Sequence, residues 1–416
     1  MNVLWEGDVI VAGGGSAGCA AAVAAARAGA RCLLVESSGF LGGTGAAVLD
    51  TFYGFYAPGP GSPRVVGGIG WEVCERLFAT GSAFERPNTY GAGTGVTYEP
   101  EALKVVWDEL TAGVTVLLHA RVCGTGDVVE TVAGRVAVRA PVVVDATGDA
   151  EVAWSAGAAL ERPGMRLQPM TTTFRLGGVD LSATSTAELH SLMAQAGDAY
   201  DLPRRDGSVH RTVHDGIVHT NLTRVSGLDP TDPLELSRAE REGRRQVGEY
   251  VRFLREKVPG YGSAVLLGTS TRIGVRESRR LQGRYVLTAD DVLTGRDHAD
   301  TIARCGAPIE DHDSGSGTRW EYVRDFGTYG IPYRCLLPAE PPETAETPAP
   351  AGLIVAGRCL SATHDAHASA RSMAQCMAMG QAAGTAAALA VETSRDPAEI
   401  DVDELRTRLR ANGAIL

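Results

Sequence analysis

The chain has 416 residues, 44% apolar and 21% charged, with a formal net charge of −11. That is enough to bury a large core and to divide into two domains, and the acidity excludes a broad phosphate-binding face, so nucleic acid is not an expected partner. Eight scattered cysteines form no CxxC pair, which argues against a zinc knuckle or dithiol centre and fits a reducing, cytoplasmic setting.

Asp8–Val11 reads as a buried parallel strand, and the alanine-rich run after Gly15 as a helix stopped by Gly29. Arg31–Val35 is the next strand, ending at Glu36. The uncharged run Val9–Ala26 is mostly Ala and Gly and follows Glu6 and Asp8, so it reads as neither a membrane span nor a signal peptide. Between these elements Gly13, Gly15 and Gly18 form G-x-G-x-x-G. Gly13 permits the tight turn, Gly15 lets a pyrophosphate approach the backbone, and Gly18 lets helix and strand pack. The helix N-terminus then offers free N–H groups and a positive dipole end to phosphate. Glu36 can accept from an adenosine ribose and disfavours a 2′-phosphate, so NADP fits poorly; FAD and NAD both remain open.

After Glu36 comes the glycine-rich loop SSGFLGGTGAAVLD rather than a third βα unit. Glu101–Leu110 reads as a helix, Val114–Leu118 as a strand, Val128–Val138 as a β-meander, and Val142–Asp145 as a buried strand ending in ATGDA. From about Met165 to Pro338 the character changes. TTTFRLGGVD reads as a strand, and Val247, Tyr250, Val251, Leu254 and Val258 follow helical spacing beside a solvated charge run, SRAEREGRR. A polar glycine loop, HDSGSG, precedes YGIPYRCLLP, and AEPPETAETPAPAG reads as a linker back. Leu353–Ala356 is a short buried strand, a small-residue helix runs to about Val391, and the tail reads as a surface helix. The chain thus leaves a nucleotide domain (1–50, 100–164, 350–395), passes through a substrate or capping domain (51–99, 165–349), returns, and ends at 396–416.

These elements together resemble the FAD-dependent oxidoreductase family (FAD_oxidored type) of the glutathione-reductase-like flavoproteins. The residues that carry the likeness are GGGSAG, ESSGFLGGTG, YEPEALK, VVVDATGDAEVA, RIGVRESRRLQGRYVLTADDV, YGIPYRCLLP and LIVAGRCLSATHDAHASARSMAQCMAMGQAAGTAAALA. The resemblance implies an α/β fold: a Rossmann-like FAD-binding domain of glutathione-reductase type with a β-meander, plus a smaller α+β capping domain. It implies FAD as cofactor. Gly13, Gly15, Ser16, Ala17 and Gly18 would hold the pyrophosphate, and Glu36 and Ser37 the ribose end. Gly42, Gly43 and Thr44 match the loop along the phosphates, Val122 the adenine contact, and Ala146, Thr147 and Gly148 the second nucleotide turn. Gly357 and Arg358 match the ribityl motif. Many relatives carry an acid after that glycine, so the ribityl contact should differ here.

The stretch ATHDAHASARSMAQC, Ala362–Cys376, is not HExxH and has no third ligand at a diagnostic spacing, so no metal is expected. The small-residue helix after it can lie close to a ring system, with N–H groups near Gln375 and Cys376 stabilising charge that develops on a flavin pyrimidine. The segment resembles that of fumarate-reductase-like flavoproteins, which places Arg371 over the flavin as a holder of a substrate carboxylate. A purely structural ion pair is the other reading of Arg371. His364 is a candidate for proton transfer, as is His367, and Arg276 and His312 for closing the site from above. Arg272, Arg279 and Arg280 read as structural ion-pair partners, and the IPYR turn with Tyr329, Tyr333 and Arg334 as facing the flavin.

The expected function is oxidation of a small organic substrate, with hydride passing to the flavin and electrons on to oxygen or another acceptor. The rivals are a flavin reductase or monooxygenase reduced by a nicotinamide cofactor or a partner, and a non-catalytic flavin-binding regulator. No second Rossmann fingerprint is present: GAGTGV at Gly91 and SGSG at Ser314 lack the flanking strand and helix. No membrane partner is expected, and a homo-oligomer is compatible with the sequence.

Overall fold

In the computed structural model, residues 1–161, 167–312, 318–340 and 350–416 are described. The HDSGSG loop beyond His312, the Met165 boundary and most of the Pro-rich linker lie outside them.

A five-stranded parallel sheet organises the nucleotide-binding half. Its elements in chain order are β1 (Val9–Ala12), α1 (Ser16–Arg27), β2 (Cys32–Val35), α2 (Pro100–Leu110), β3 (Thr115–Leu117) and β4 (Val142–Asp145). After the excursion through residues 167–340 come α3 (Pro233–Lys257, within that excursion), β5 (Leu353–Val355), α4 (His364–Ala370) and α5 (Met373–Thr393). The strand order is β5-β4-β1-β2-β3, every pair parallel. β1 and β2 are buried on both faces, as continuous apolar runs in a covered parallel sheet must be. The last strand therefore pairs with β4 and completes a sheet begun near residue 9, as the sequence indicates. Val128–Thr131 and Gly134–Arg139 pair antiparallel, with Arg121–Cys123 and Val3–Glu6 on either side.

Helices α1 and α5 pack backbone to backbone. A Cβ at Gly380 would stand 2.0 Å from the Ala17 carbonyl oxygen, and one at Gly384 2.0 Å from that of Ala21. Around this seam both helices are almost entirely alanine, glycine, cysteine and methionine, and all of it is buried. The terminal helix Val402–Ala411 packs on α5 and buries Leu405 and Leu409 completely. It is a surface helix, as its charge pattern suggests, docked through those two leucines. The small-residue run is also two helices, broken at Arg371–Ser372.

The excursion builds a four-stranded antiparallel sheet in the order Ser208–Arg211, Ile217–Asn221, Phe174–Gly177, Val265–Thr269. Strand alternation gives this sheet two different faces. Phe174, Leu176 and Val218 cluster with Tyr250, Phe253 and Leu254 of α3. Arg175, His210, His219 and Asn221 occupy the opposite face, toward the nucleotide-binding half.

The α1–α5 seam yields a direct prediction. A Gly384→Val chain has to separate the two helices, and such overpacking costs about 1–3 kcal/mol. Urea unfolding is expected to show that loss; an unchanged midpoint would mean the seam carries no packing constraint.

Candidate active site

Most long helices here carry a side-chain N-cap, such as Glu99 on α2 and Asp232 on α3. Among the described helices of eight residues or more, three lack one: α1, α5 and Gly68–Ala79. Gly68–Ala79 is satisfied otherwise, since Ile69 N–H donates to Gln381 Oε1 at 2.9 Å. That leaves the buried starts of α1 and α5, neither with an acid in its first turn. Buried helix ends without partners require a ligand.

The residues between these two ends fit a dinucleotide. Gly13 is held at φ +95°, and its Cβ would stand 2.7 Å from Ala146 O; a Cβ at Gly18 would stand 1.7 Å from Gly13 O. These two glycines are required by the protein itself. Gly15 is not: its φ is −79°, and a Cβ there meets nothing closer than 3.9 Å. The space over Gly15 is thus kept for something other than protein. Gly42 N–H donates to Gly14 O at 2.8 Å, drawing the Gly42–Gly43–Thr44 loop alongside Gly15. Glu36 is buried at the end of β2 and accepts from Gly14 N–H at 2.7 Å, Ser38 N–H at 2.6 Å and the Ser37 hydroxyl at 3.1 Å. Gly357, at φ +79°, lies against Ala17 and Cys376 and so joins the starts of α1 and α5. Val122 is a buried strand residue on β2's flank of the sheet, and Ala146, Thr147 and Gly148 follow β4 directly.

Arg358 is not left free for a ribityl chain. It pairs with Asp149 at 2.9 Å and donates to Ser278 Oγ at 2.8 Å, over Gly148. Arg279 donates to Asp149 O, and Arg280 is buried against Glu277 and Glu161, so both have the structural role expected of them. Arg272 is exposed, near Gly43. The IPYR turn faces elsewhere: Tyr333 donates to Pro397 O, and Arg334 pairs with Asp300.

At the start of α5 the sequence candidates converge. His364 Nδ1 lies 2.9 Å from Glu277 Oε2, and its Nε2 3.8 Å from Asp311 Oδ1. Its hydrogen bond to Glu277 raises its pKa, favouring the protonated ring. Glu277 is fully buried. His364, His367 and Arg280 around it outweigh the burial and hold its pKa down at about 2. His367 is buried and neutral, its pKa pushed down to about 3 by burial, with Nε2–H on the Arg358 carbonyl and Nδ1 unpartnered. His312 is likewise neutral, lowered to about 4 by burial, with Nε2 3.1 Å from Glu310. Glu310 is held at about 2 by His312, Arg371 and Arg276 despite burial.

Arg371 and Arg276 stand out among the arginines of this region. Arg204, Arg280 and Arg358 each pair with a carboxylate. Among the described residues neither Arg371 nor Arg276 does. Arg276 donates only to Pro169 O at 2.6 Å and Asn221 Oδ1 at 3.4 Å, and Arg371 Nε is buried without any partner. Burial lowers both pKa values, that of Arg276 to about 9 with Arg204 and Arg371 pushing the same way, and Glu310 opposes the fall at both.

A further cluster was not singled out by sequence. Asp50 is buried, with Oδ1 2.8 Å from His210 Nε2 and Oδ2 3.6 Å from His219 Nδ1. The turn signal His214-Asp215-Gly216 marks the hairpin that makes His210 and His219 direct cross-strand partners. One cluster, Asp311, His364 and Asp365, has ligand-like spacing, but Arg319 pairs with both aspartates.

With this geometry in place, the comparisons give the class. Residues 8–409 match the family model "FAD dependent oxidoreductase". The chain belongs to that family, and its cofactor is FAD. No curated protein matches the chain. Among solved structures it is similar to p-nitrophenol 4-monooxygenase PnpA from Pseudomonas putida DLL-E4, at 14% identity and TM-score 0.46, covering 98% of this chain and 84% of that one. It is also similar to a geranylgeranyl bacteriochlorophyll reductase-like protein from Thermoplasma acidophilum (13%, TM-score 0.45, 98% and 82%) and to flavin-dependent brominase Bmp2 (12%, TM-score 0.48, 98% and 83%). Among the described residues no helix is long and apolar enough to cross a membrane.

The buried Glu277 hub makes a signed pH prediction. Its folded pKa lies below the unfolded value of about 4.3, so its stabilisation is complete above about pH 4.3 and lost as pH falls toward about 2. His364 is shifted upward, so its share is complete below about pH 6.5 and lost as pH rises through its folded value. Glu277→Gln leaves His364 without its anion and Arg280 with only the more exposed Glu161. It is expected to cost about 3–5 kcal/mol near pH 6 and to flatten both limbs of stability against pH, measured by urea unfolding. Retention of both limbs would assign them to other groups.

Proposed function

We propose that the chain is an FAD-dependent dehydrogenase or oxidase acting on a small organic substrate that carries a carboxylate or similar anion. On this reading its nucleotide half, residues 1–50, 100–164 and 350–395, has the glutathione-reductase type of fold, and residues 51–99 and 165–349 cap the substrate. The observation that carries the reading is the pair of half-buried arginines, Arg371 and Arg276, neither with a carboxylate partner among the described residues, Arg371 lying just ahead of α5 with its Nε buried and unpartnered. Two desolvated guanidinium groups demand an anion, and Arg is the side chain that grips one in a fixed orientation.

FAD, when bound, supplies the electron-accepting chemistry. It would be held by Gly13, Gly15, Ser16, Ala17 and Gly18 at one end and by the Gln375–Cys376 end of α5 at the other, with Glu36 and Ser37 at the ribose. The protein's own share is binding and orientation. Arg371 and Arg276 fix the substrate's anion. Glu310, pinned by His312, keeps the two arginines from being driven apart. His364 is clamped by Glu277. Reduced enzyme would pass its electrons to oxygen or another acceptor.

The test is an anaerobic titration of the FAD-loaded protein with 2-hydroxy and 2-amino carboxylates and with the corresponding uncharged alcohols and amines. Bleaching by a carboxylate and not by its uncharged counterpart is expected. Arg371→Gln should weaken the response roughly tenfold or more, the worth of one charged hydrogen bond. Bleaching by NADH or NADPH alone, with no response to carboxylates, would contradict the reading and favour the reductase or monooxygenase class.

A further inference from the structure

The arginines account for a substrate's anion but leave its proton without a destination. His364 is held by Glu277, His312 is occupied by Glu310 and Thr318, and His367 faces a backbone carbonyl. The cluster of Asp50, His210 and His219 holds four buried polar atoms with no hydrogen-bond partner: Asp50 Oδ2, His210 Nδ1, and both ring nitrogens of His219. Four of the twelve such atoms among the described residues fall in this one cluster, a concentration that needs a reason.

Strand geometry places this cluster against the arginine pair. His219 and Asn221 lie two residues apart on one strand, so they share a face about 6.6 Å apart. Asn221 Oδ1 accepts from Arg276. On the opposite wall, Tyr53 receives a hydrogen bond from Arg86 and lies within the electrostatic reach of both Asp50 and Glu310. Its phenol thus feels charge from both the histidine cluster and the Glu310 side of the site. The other charged and titratable groups facing the cluster are Arg175, which pairs with Glu99, and His214, which lies 3.1 Å from Glu99. Thr51 Oγ1 sits 3.2 Å from His210 Nε2.

We infer that His219 is the base of the reaction, with Asp50 as its positioning residue. This rests on the proposed function above, which supplies the oxidant and the substrate's anion. Asp50 Oδ2 lies 3.6 Å from Nδ1, too far for a hydrogen bond, but its negative charge on that side favours the Nδ1–H tautomer, which leaves the lone pair on Nε2. The substrate's O–H or N–H bond breaks, and its proton forms an N–H bond at His219 Nε2. The electron pair of the broken bond becomes the second bond of the new C=O or C=N. The hydride from the same carbon leaves with its two electrons to FAD. His210, sharing the Asp50 carboxylate through Oδ1, fixes that carboxylate so that Oδ2 stays aimed at His219. Burial keeps the His219 ring neutral, its pKa lowered to about 4, and the two histidines hold Asp50 ionised at about 2.

The test uses the FAD-loaded protein with 15N-labelled histidine and two probes that cannot be oxidised. 2-Hydroxyisobutyrate has a carboxylate and a hydroxyl but no hydrogen on the carbinol carbon; isobutyrate lacks the hydroxyl. Flavin absorbance reports occupancy, and 15N NMR reports the His219 tautomer and any hydrogen bond to Nε2. The expected result is a bare Nε2, flavin absorbance changes with both probes, and a shift of Nε2 only with the hydroxy acid. Asp50→Asn should keep the absorbance change and lose the tautomer preference. A protonated Nε2, or an Nε2 unmoved while the flavin responds to 2-hydroxyisobutyrate, overturns the assignment of His219 alone. Flavin absorbance blind to both probes overturns the carboxylate reading of the arginines, and the base assignment with it.

Discussion

The contact on which the rest of the site depends is the backbone seam between α1 and α5. Glycines at 380 and 384 let α5 lie against the carbonyls of Ala17 and Ala21, closer than any side chain would allow. Helices held this closely cannot slide, so their N-termini are fixed relative to one another. Gly357 closes the gap between those ends by packing on Ala17 and Cys376. Two uncapped, buried, positive helix ends held side by side are electrostatically costly unless an elongated anionic ligand lies across them. On the proposed reading FAD would lie there, where a Cβ at Gly15 would meet nothing closer than 3.9 Å.

The second constraint is charge balance in a desolvated place. Where this structure buries an arginine for stability it gives it a carboxylate, as at Arg280–Glu277 and Arg358–Asp149. Arg371 and Arg276 share only the influence of Glu310, which His312 also claims. An unbalanced pair is expensive in a folded chain and is characteristic of a site that another molecule completes. The same reasoning applies, with opposite polarity, to the unpartnered nitrogens around Asp50. Binding of an anion and acceptance of a proton are thereby placed on two adjoining walls.

Much of this was legible in the sequence where the signal is local. The fingerprint, β1, β2, β4 and β5 are short apolar runs bounded by glycine, and their edges fall within a residue or two of expectation. Helix α2 announces itself through Glu99-Pro100 at its start. The tail reads as a surface helix from its charges, and Leu405 and Leu409, four apart, are what dock it. The IPYR turn was misjudged because its tyrosine and arginine find partners at Pro397 and Asp300, far away in the chain. Glu277, Gln168 and Asp311 reach His364 from separate segments, and no spacing rule predicts that. The Asp50 cluster was half legible: the Asp-Gly turn sets His210 opposite His219, but Asp50 lies some 160 residues upstream and only the fold brings it there.

The central claim, that the α1–α5 junction is built for FAD, is tested most directly at Gly15. Its backbone conformation suits any residue and its Cβ position is open, so the folded protein has no need of glycine there. Gly15→Asp supplies α1 with the N-cap it lacks and puts a carboxylate where a phosphate would lie. FAD bound per chain, read from the visible spectrum, should be measured together with unfolding of the FAD-free protein. The account predicts an FAD-free protein at least as stable as the parent, by up to about 1 kcal/mol, and loss of bound FAD. One FAD per chain retained by the variant would contradict it.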